Sequence, residues 1–268
     1  MPEAELLIEE KLISQLTTGM SQWTLREDIK NENDIWNNIR KILNQNNINK
    51  LQGICITDEE MKRIKEFVLD KTTSPFKAAK WLSGEFGLAQ IPLDREDAKL
   101  DSVTLDAINS REIAGGNSVY EVIHQYVSFK TDPSDRNRRF DVTLLINGFP
   151  MIHIELKNEN NGYMKAFNQI KKYIGEGKFS GIFGMVQMFV VSNATDTKYI
   201  ANAPYDQFSP QFLCSWVNEK NERIDNYLDF AKDALNIPQA HLMVGKYSII
   251  DEASKRLMLL RPYQFHAI

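Results

Sequence analysis

Residues 138–158 read RRFDVTLLINGFPMIHIELKN. Two apolar runs, 140–146 and 151–156, flank Asn147-Gly148, and an Asn-Gly pair between strand-like runs is the strongest short-range signal for a β-hairpin. Strand side chains alternate, so Ile152, Ile154 and Leu156 share one face while Met151, His153, Glu155 and Lys157 share the other. The apolar face is committed to a core. The other ends in a carboxylate and an ammonium two residues apart, which is costly inside a sheet unless both have partners. Asp141 opens the first strand, and the hairpin returns Glu155 and Lys157 toward it at the same end. Two carboxylates and a strand carbonyl, that of Leu156, make an all-oxygen set suited to Mg²⁺, with Mn²⁺ as a substitute. Lys157 is then placed to orient or deprotonate an attacking water while the metal offsets charge on a phosphate.

Spacing alone does not single out this triplet. Glu9/Lys11, Asp28/Lys30, Glu60/Lys62, Asp97/Lys99, Glu176/Lys178 and Asp196/Lys198 share it. Most of these fall on expected helices or loops, where such pairs are solvated surface charge. Only Glu155/Lys157 ends an apolar strand with an aspartate at the near end of its hairpin partner.

Outward from the hairpin the texture is mixed. Residues 100–107 alternate, 118–129 are rich in Val, Ile and Tyr, and 186–191 form a further apolar run, so all three are expected strands. Residues 161–174 switch to helical period. Before residue 98 the periodicity is helical: 3–16, then NDIWNNIRKIL capped by Asn33 or Asp34, then a helix opened by the capping box Thr57/Glu60, then about 74–85. The last 60 or so residues return to helical spacing, with Trp216, Ile224, Tyr227, Leu228 and Leu235 on one face. The expected class is α/β (α+β): a mixed central sheet flanked by helices, with extra helices at both ends. Residues 1–98 form a helical part, 99–205 the core, 206–250 C-terminal helices, and 251–268 a linker.

The composition, 43% hydrophobic and 25% charged, is that of a globular protein with a sizeable core. No apolar run is long enough to span a bilayer, and the acidic amphipathic start does not read as a signal peptide, so no membrane partner and a cytoplasmic location are expected. Cys55 and Cys214 are far apart, and His124, His153, His241 and His266 show no ligand spacing, which argues against structural zinc. No Gly-x-Ser-x-Gly elbow or Cys-His pairing supports covalent catalysis, and Gly175-Glu-Gly177-Lys178 and Gly245-Lys246 fail the phosphate-loop spacing. A net charge of −4 argues against a free-standing, high-affinity nucleic-acid binder. It is compatible with a nuclease whose DNA is delivered by other subunits.

Asp141, Glu155 and Lys157 resemble the PD-(D/E)xK nuclease signature, and their surroundings are similar to the restriction subunit of type I restriction-modification enzymes. Gln169 and Tyr173 match that family's Q-x-x-x-Y element and share a helix face. The segment VQMFVVSNATDTKY resembles its next strand. Phe140 stands where the signature has Pro. Leu260-Arg261-Pro262-Tyr263-Gln264 resembles the entry motif of the family's helicase-like motor, where the Gln contacts adenine; the resemblance implies an endonuclease domain over 1–250 and, in 251–268, a linker with the truncated start of that motor domain. The resemblance implies a restriction-endonuclease-like core in which Asp141, Glu155 and the Leu156 carbonyl hold Mg²⁺, and Gln169 and Tyr173 support catalysis. It implies double-stranded DNA as substrate, cut far from the recognition site after ATP-driven translocation, and methylation and specificity subunits as partners. ATP is expected to serve the longer subunit rather than this chain. Arg138 and Arg139, with Arg136, and Lys165 and Lys172, with Lys171, are candidate phosphate contacts, with a solvated basic edge as the alternative reading. His153 is expected to make a structural hydrogen bond. Two other functions remain open on the residues alone: a nuclease of a repair or modification-dependent system, and a catalytically silent nuclease fold used for docking.

Overall fold

A computed structural model describes residues 3–19, 22–110, 113, 118–129 and 136–265; His266 lies outside them. The chain begins with α1 (Glu3–Thr17), a short β1 (Thr24–Leu25), α2 (Glu32–Asn46), α3 (Asp58–Lys71) and α4 (Pro75–Ser83). Local chemistry sets these boundaries. The cap of α2 is Asn31 rather than Asn33 or Asp34: its side chain accepts from the Asp34 N–H at 3.2 Å, and Asp34 accepts from the Asn31 N–H at 3.1 Å. Asp34 therefore occupies the third helical position, as a reciprocal capping box requires. Thr57 and Glu60 close the same kind of box on α3, and Ser74 caps α4 just before Pro75.

The next strands are β2 (Leu88–Leu93), β3 (Val103–Asn109), β4 (Tyr120–Ser128), β5 (Arg138–Ile146) and β6 (Phe149–Leu156). Then come α5 (Met164–Gly175), β7 (Met188–Ser192) and β8 (Thr197–Ala201). Six strands make the central sheet in the order β1-β4-β5-β6-β7-β8. β1 runs parallel to β4 and β6 parallel to β7, while the other neighbours are antiparallel. The mixed sheet is as expected. β2 was not read from the sequence; it pairs with β3 as a separate two-stranded ribbon and links the helical first third to the core across residue 98.

The C-terminal stretch departs from the helical expectation. Trp216 lies in β9 (Trp216–Val217) and Ile224 in β10 (Arg223–Ile224), which pair around a turn where Asn218 accepts from the N–H groups of Lys220 and Glu222. Helix resumes only in α6 (Tyr227–Ala234) and α7 (Gln239–Val244). A second hairpin, β11 (Ser248–Asp251) with β12 (Arg256–Leu259), turns where Asp251 accepts from the Ala253 and Ser254 N–H groups, and α8 (Pro262–Phe265) follows. Side-chain-stabilised turns compete with helix wherever Asn and Asp recur at this spacing.

All eight residues of β6 are buried, because it is flanked by β5 and β7 and both α1 and α5 pack against it. One apolar core runs from Leu12 of α1 through the sheet to Val244 of α7. A carboxylate at the end of β6 is therefore removed from bulk water.

Candidate active site

The hairpin turn has φ of +51° at Asn147 and +81° at Gly148, the two left-handed residues of a type I′ turn. A Cβ on Gly148 would lie 2.9 Å from Ile39 Cγ1, so α2 presses on the turn and only glycine fits. The turn sets Ile146 opposite Phe149 and Leu145 opposite Pro150. Continued unchanged, that register would put Asp141 opposite Ile154, on the apolar face. It does not continue. Met151 is an extra residue, and beyond it Leu144 pairs with Ile152, Thr143 with His153 and Val142 with Ile154. This β-bulge brings Asp141 alongside Glu155 and onto its face. The sequence reading placed both at the same end of the hairpin but missed the bulge. The available signal was Pro150, a residue that sheets confine to edges and bulges.

Asp141 is 4% exposed and Glu155 fully buried. Asp141 Oδ2 accepts from the Leu156 N–H at 2.9 Å. Lys157 Nζ donates to Glu155 Oε1 at 2.8 Å and to the Leu156 carbonyl at 2.7 Å, and the Lys157 N–H donates to Ser192 O of β7 at 2.8 Å. Glu155 Oε2 has no hydrogen-bond partner. It faces His153 Nε2 at 3.5 Å, also unpartnered, while His153 Nδ1 lies 3.0 Å from Thr143 Oγ1.

Burial raises the proton affinity of Asp141 well above the usual carboxylate range, and the nearby Glu155 charge adds to it against the opposing Lys157. Burial likewise raises Glu155 despite Lys157. Burial works to lower Lys157, but the two carboxylates outweigh it and hold the ammonium protonated. Burial pushes His153 down to about 4, so its ring is neutral at pH 7. Two buried carboxyls that one ammonium does not fully neutralise, beside the strand carbonyl of Leu156, suit a hard divalent cation. Among the described residues no group of three or more His, Cys, Asp or Glu side chains forms a metal cage. The remaining ligands would therefore be the Leu156 carbonyl, water and substrate oxygens, the mixture Mg²⁺ commonly takes.

Gln169 and Tyr173 meet on α5, where Gln169 Nε2 donates to Tyr173 OH at 2.9 Å. Burial and then the Glu155 charge raise Tyr173, so the pair lies within electrostatic reach of the carboxylates without a direct bond to them. Arg138 stacks its guanidinium over the Tyr173 ring at 5.4 Å and pairs with Glu176 at 2.5 Å. Arg139 donates to Gln125 at 3.2 Å, Lys165 to Asn161, and Lys172 is exposed. Sequence reasoning read the helix α1 but missed that it, like Thr143, contributes to the surroundings of the site. There Glu9 is buried against His124 and Gln125, and Glu5 adds negative charge near Glu155 and Lys157. The signal for α1 was two glutamates one helical turn apart beside an apolar stripe. Gln264 is not part of this cluster: it sits on α8, which packs against β9, and accepts from the Arg261 N–H at 2.9 Å. Arg261, Pro262 and Tyr263 line a separate cavity of about 550 Å³ between β8, β9 and β12.

The six-stranded mixed sheet with helices packed against it describes an α/β domain consistent with a nuclease-like core. The profile of the family "Type I restriction enzyme R protein N terminus" matches residues 3–208, and the chain belongs to that family. It is 30% identical over 267 residues to the type I restriction enzyme SauMSSORF170P endonuclease subunit of Staphylococcus aureus strain MSSA476, covering 99% of this chain and 26% of that protein. The SsaAORF53P endonuclease subunit of Staphylococcus saprophyticus gives the same identity and coverage. The EcoprrI endonuclease subunit of Escherichia coli is 38% identical over 135 residues, 48% of this chain and 42% of that protein. The chain thus spans about a quarter of the length of the staphylococcal relatives. Among the described residues no helix is long and apolar enough to cross a membrane.

Proposed function

We propose that this chain is the DNA-cleaving part of a type I restriction R subunit, an Mg²⁺-dependent endonuclease of PD-(D/E)xK type. The observation that carries the reading is the Met151 bulge, which sets Asp141 beside Glu155 with Lys157 bridging Glu155 and the Leu156 carbonyl. Asp141, Glu155 and the Leu156 carbonyl would hold the cation. When bound, it offsets negative charge on the scissile phosphate and acidifies water. Lys157, kept charged by its neighbours, orients the attacking water and stabilises charge developing on phosphate oxygens. Asp141 is fixed by the Leu156 N–H, so the carboxylates meet their ligand without rearranging the strand. Tyr173, positioned by Gln169, lies within electrostatic reach of the carboxylates.

Double-stranded DNA is the proposed substrate. In the longer subunit, helicase-like motor domains of the same chain would use ATP to translocate it, with Gln264 contacting adenine only there. Methylation and specificity subunits would supply recognition. The net charge of −4 supports delivery of DNA by those partners rather than tight binding by this chain alone. Arg139, Lys165 and Lys172 are proposed phosphate contacts. The test is DNA cleavage by the assembled enzyme carrying Asp141→Ala or Lys157→Ala. Cleavage should vanish while translocation persists; retained double-strand cutting overturns the reading.

A further inference from the structure

We propose that His153 is a positioning residue for Glu155: with the cation bound, its Nε2–H donates to Glu155 Oε2 and turns Oε1 toward the metal and Lys157. The inference rests on the metal-dependent reading above. It starts from two polar atoms, His153 Nε2 and Glu155 Oε2, both deeply buried, both without a hydrogen-bond partner, and 3.5 Å apart. Each such atom is expensive to leave unmade, and the two lie within reach of one another. The terminal torsion of a glutamate is soft, so a small carboxylate rotation closes the gap.

Hydrogen-bond chemistry selects the tautomer. Glu155 as a cation-bound carboxylate only accepts, so His153 must carry its proton on Nε2. Its Nδ1 is then an acceptor, and the Thr143 hydroxyl 3.0 Å away donates to it. The other tautomer would give Nδ1–H to the Val142 carbonyl, with which the ring shares a hydrogen bond, but would leave His153 Nε2 and Glu155 Oε2 as two acceptors facing each other in the interior. The ring cannot reorient to avoid this. It is fully buried, with the Phe140, Phe179 and Phe189 rings 5.0, 5.2 and 6.1 Å away. Thr143 and His153 are direct cross-strand partners, so the bulge that aligns Asp141 with Glu155 also aligns this relay. Metal-binding side chains are commonly oriented by such partners, whose loss weakens metal affinity by roughly 10- to 100-fold.

The test is calorimetric titration of the chain with Mg²⁺, alongside ¹⁵N spectra of the His153 ring in the Mg²⁺-loaded state. His153→Leu should weaken binding by about 10- to 100-fold. His153→Gln, whose amide N–H₂ reaches the position of Nε2, should restore most of it, and Thr143→Val should weaken binding by a smaller factor. The spectra should show Nε2–H in the parent chain. Unchanged affinity in folded His153→Leu, no recovery with Gln, or a ring protonated on Nδ1 overturns the proposal while leaving the metal reading intact. If His153→Leu does not fold, Thr143→Val with unaltered affinity is the overturning result. Absence of Mg²⁺ binding by the parent chain overturns the metal reading itself and this inference with it.

Discussion

Glu60 and Glu155 are both buried glutamates, 1% and 0% exposed, yet they respond to burial in opposite ways. Glu60 accepts from the Thr57 N–H at 2.9 Å, the Glu96 N–H at 2.8 Å and Arg95 Nε at 2.8 Å. Burial pushes its proton affinity up, but these donors overcome it and hold the carboxyl below its ordinary value. Glu155 has a single charged donor, Lys157, and otherwise shares a hydrogen bond only with the Asp141 carboxyl, so burial wins and its proton affinity rises. The first arrangement pins α3 to the segment after β2. The second is a buried charge left short of partners, which is what a ligand site requires.

The sharpest separation should come from paired substitutions assayed in the assembled enzyme. Glu155→Gln should reduce DNA cleavage by roughly 1,000-fold or more, the scale on which an electrostatic group at a reacting centre acts, whereas Glu60→Gln, where it folds, should leave turnover within a few-fold of the parent. Comparable losses in both would erase the distinction. Stability should rank the other way. Glu60→Ala strands the buried Arg95 guanidinium and should cost about 3–5 kcal/mol in urea unfolding; a cost under ~1 kcal/mol would show the pair to be incidental.

A smaller effect of unusual sign is expected at Asp141. Its raised proton affinity means that its favourable contribution exists below the unfolded value of 3.8 and is lost as pH rises through the folded value. At neutral pH without metal the carboxylate therefore opposes folding. Asp141→Asn, which keeps an acceptor for the Leu156 N–H, should stabilise the metal-free chain to urea; destabilisation would contradict the electrostatics. Millimolar Mg²⁺ should raise the melting temperature of the parent by a few degrees but not that of Asp141→Asn, through mass-action linkage. The smallest difference lies in acid. Glu60 stabilises above its unfolded value of 4.5, and this contribution should be lost as pH falls from there through its lower folded value. The stability advantage of Asp141→Asn should shrink earlier, as pH falls from the raised folded value of Asp141 toward 3.8.

Much of the site was legible because strand alternation and the Asn147-Gly148 turn are short-range signals. The hairpin, the face carrying Glu155 and Lys157, and the helix carrying Gln169 and Tyr173 all follow from residues within a few positions of one another. What stayed hidden depends on distant partners. β2 is defined by pairing with β3, and the Glu9–His124 contact joins α1 to β4. The C-terminal misreading arose because apolar residues at helical spacing also suit short hairpins once Asn218 and Asp251 stabilise turns.

The Met151 bulge gives the site a genetics of parity. Deleting Met151 itself should be tolerated, since the turn register then runs on and sets Asp141 opposite Glu155. Deleting one residue of 142–145, with the bulge kept, sets Asp141 opposite Ile154 on the apolar face and should silence cleavage while the sheet still forms. A compensating one-residue insertion elsewhere between Asp141 and the turn would return the two carboxylates to one face. Selection for restored restriction should therefore yield second-site length suppressors within this hairpin, and substitutions alone should not rescue the deletion.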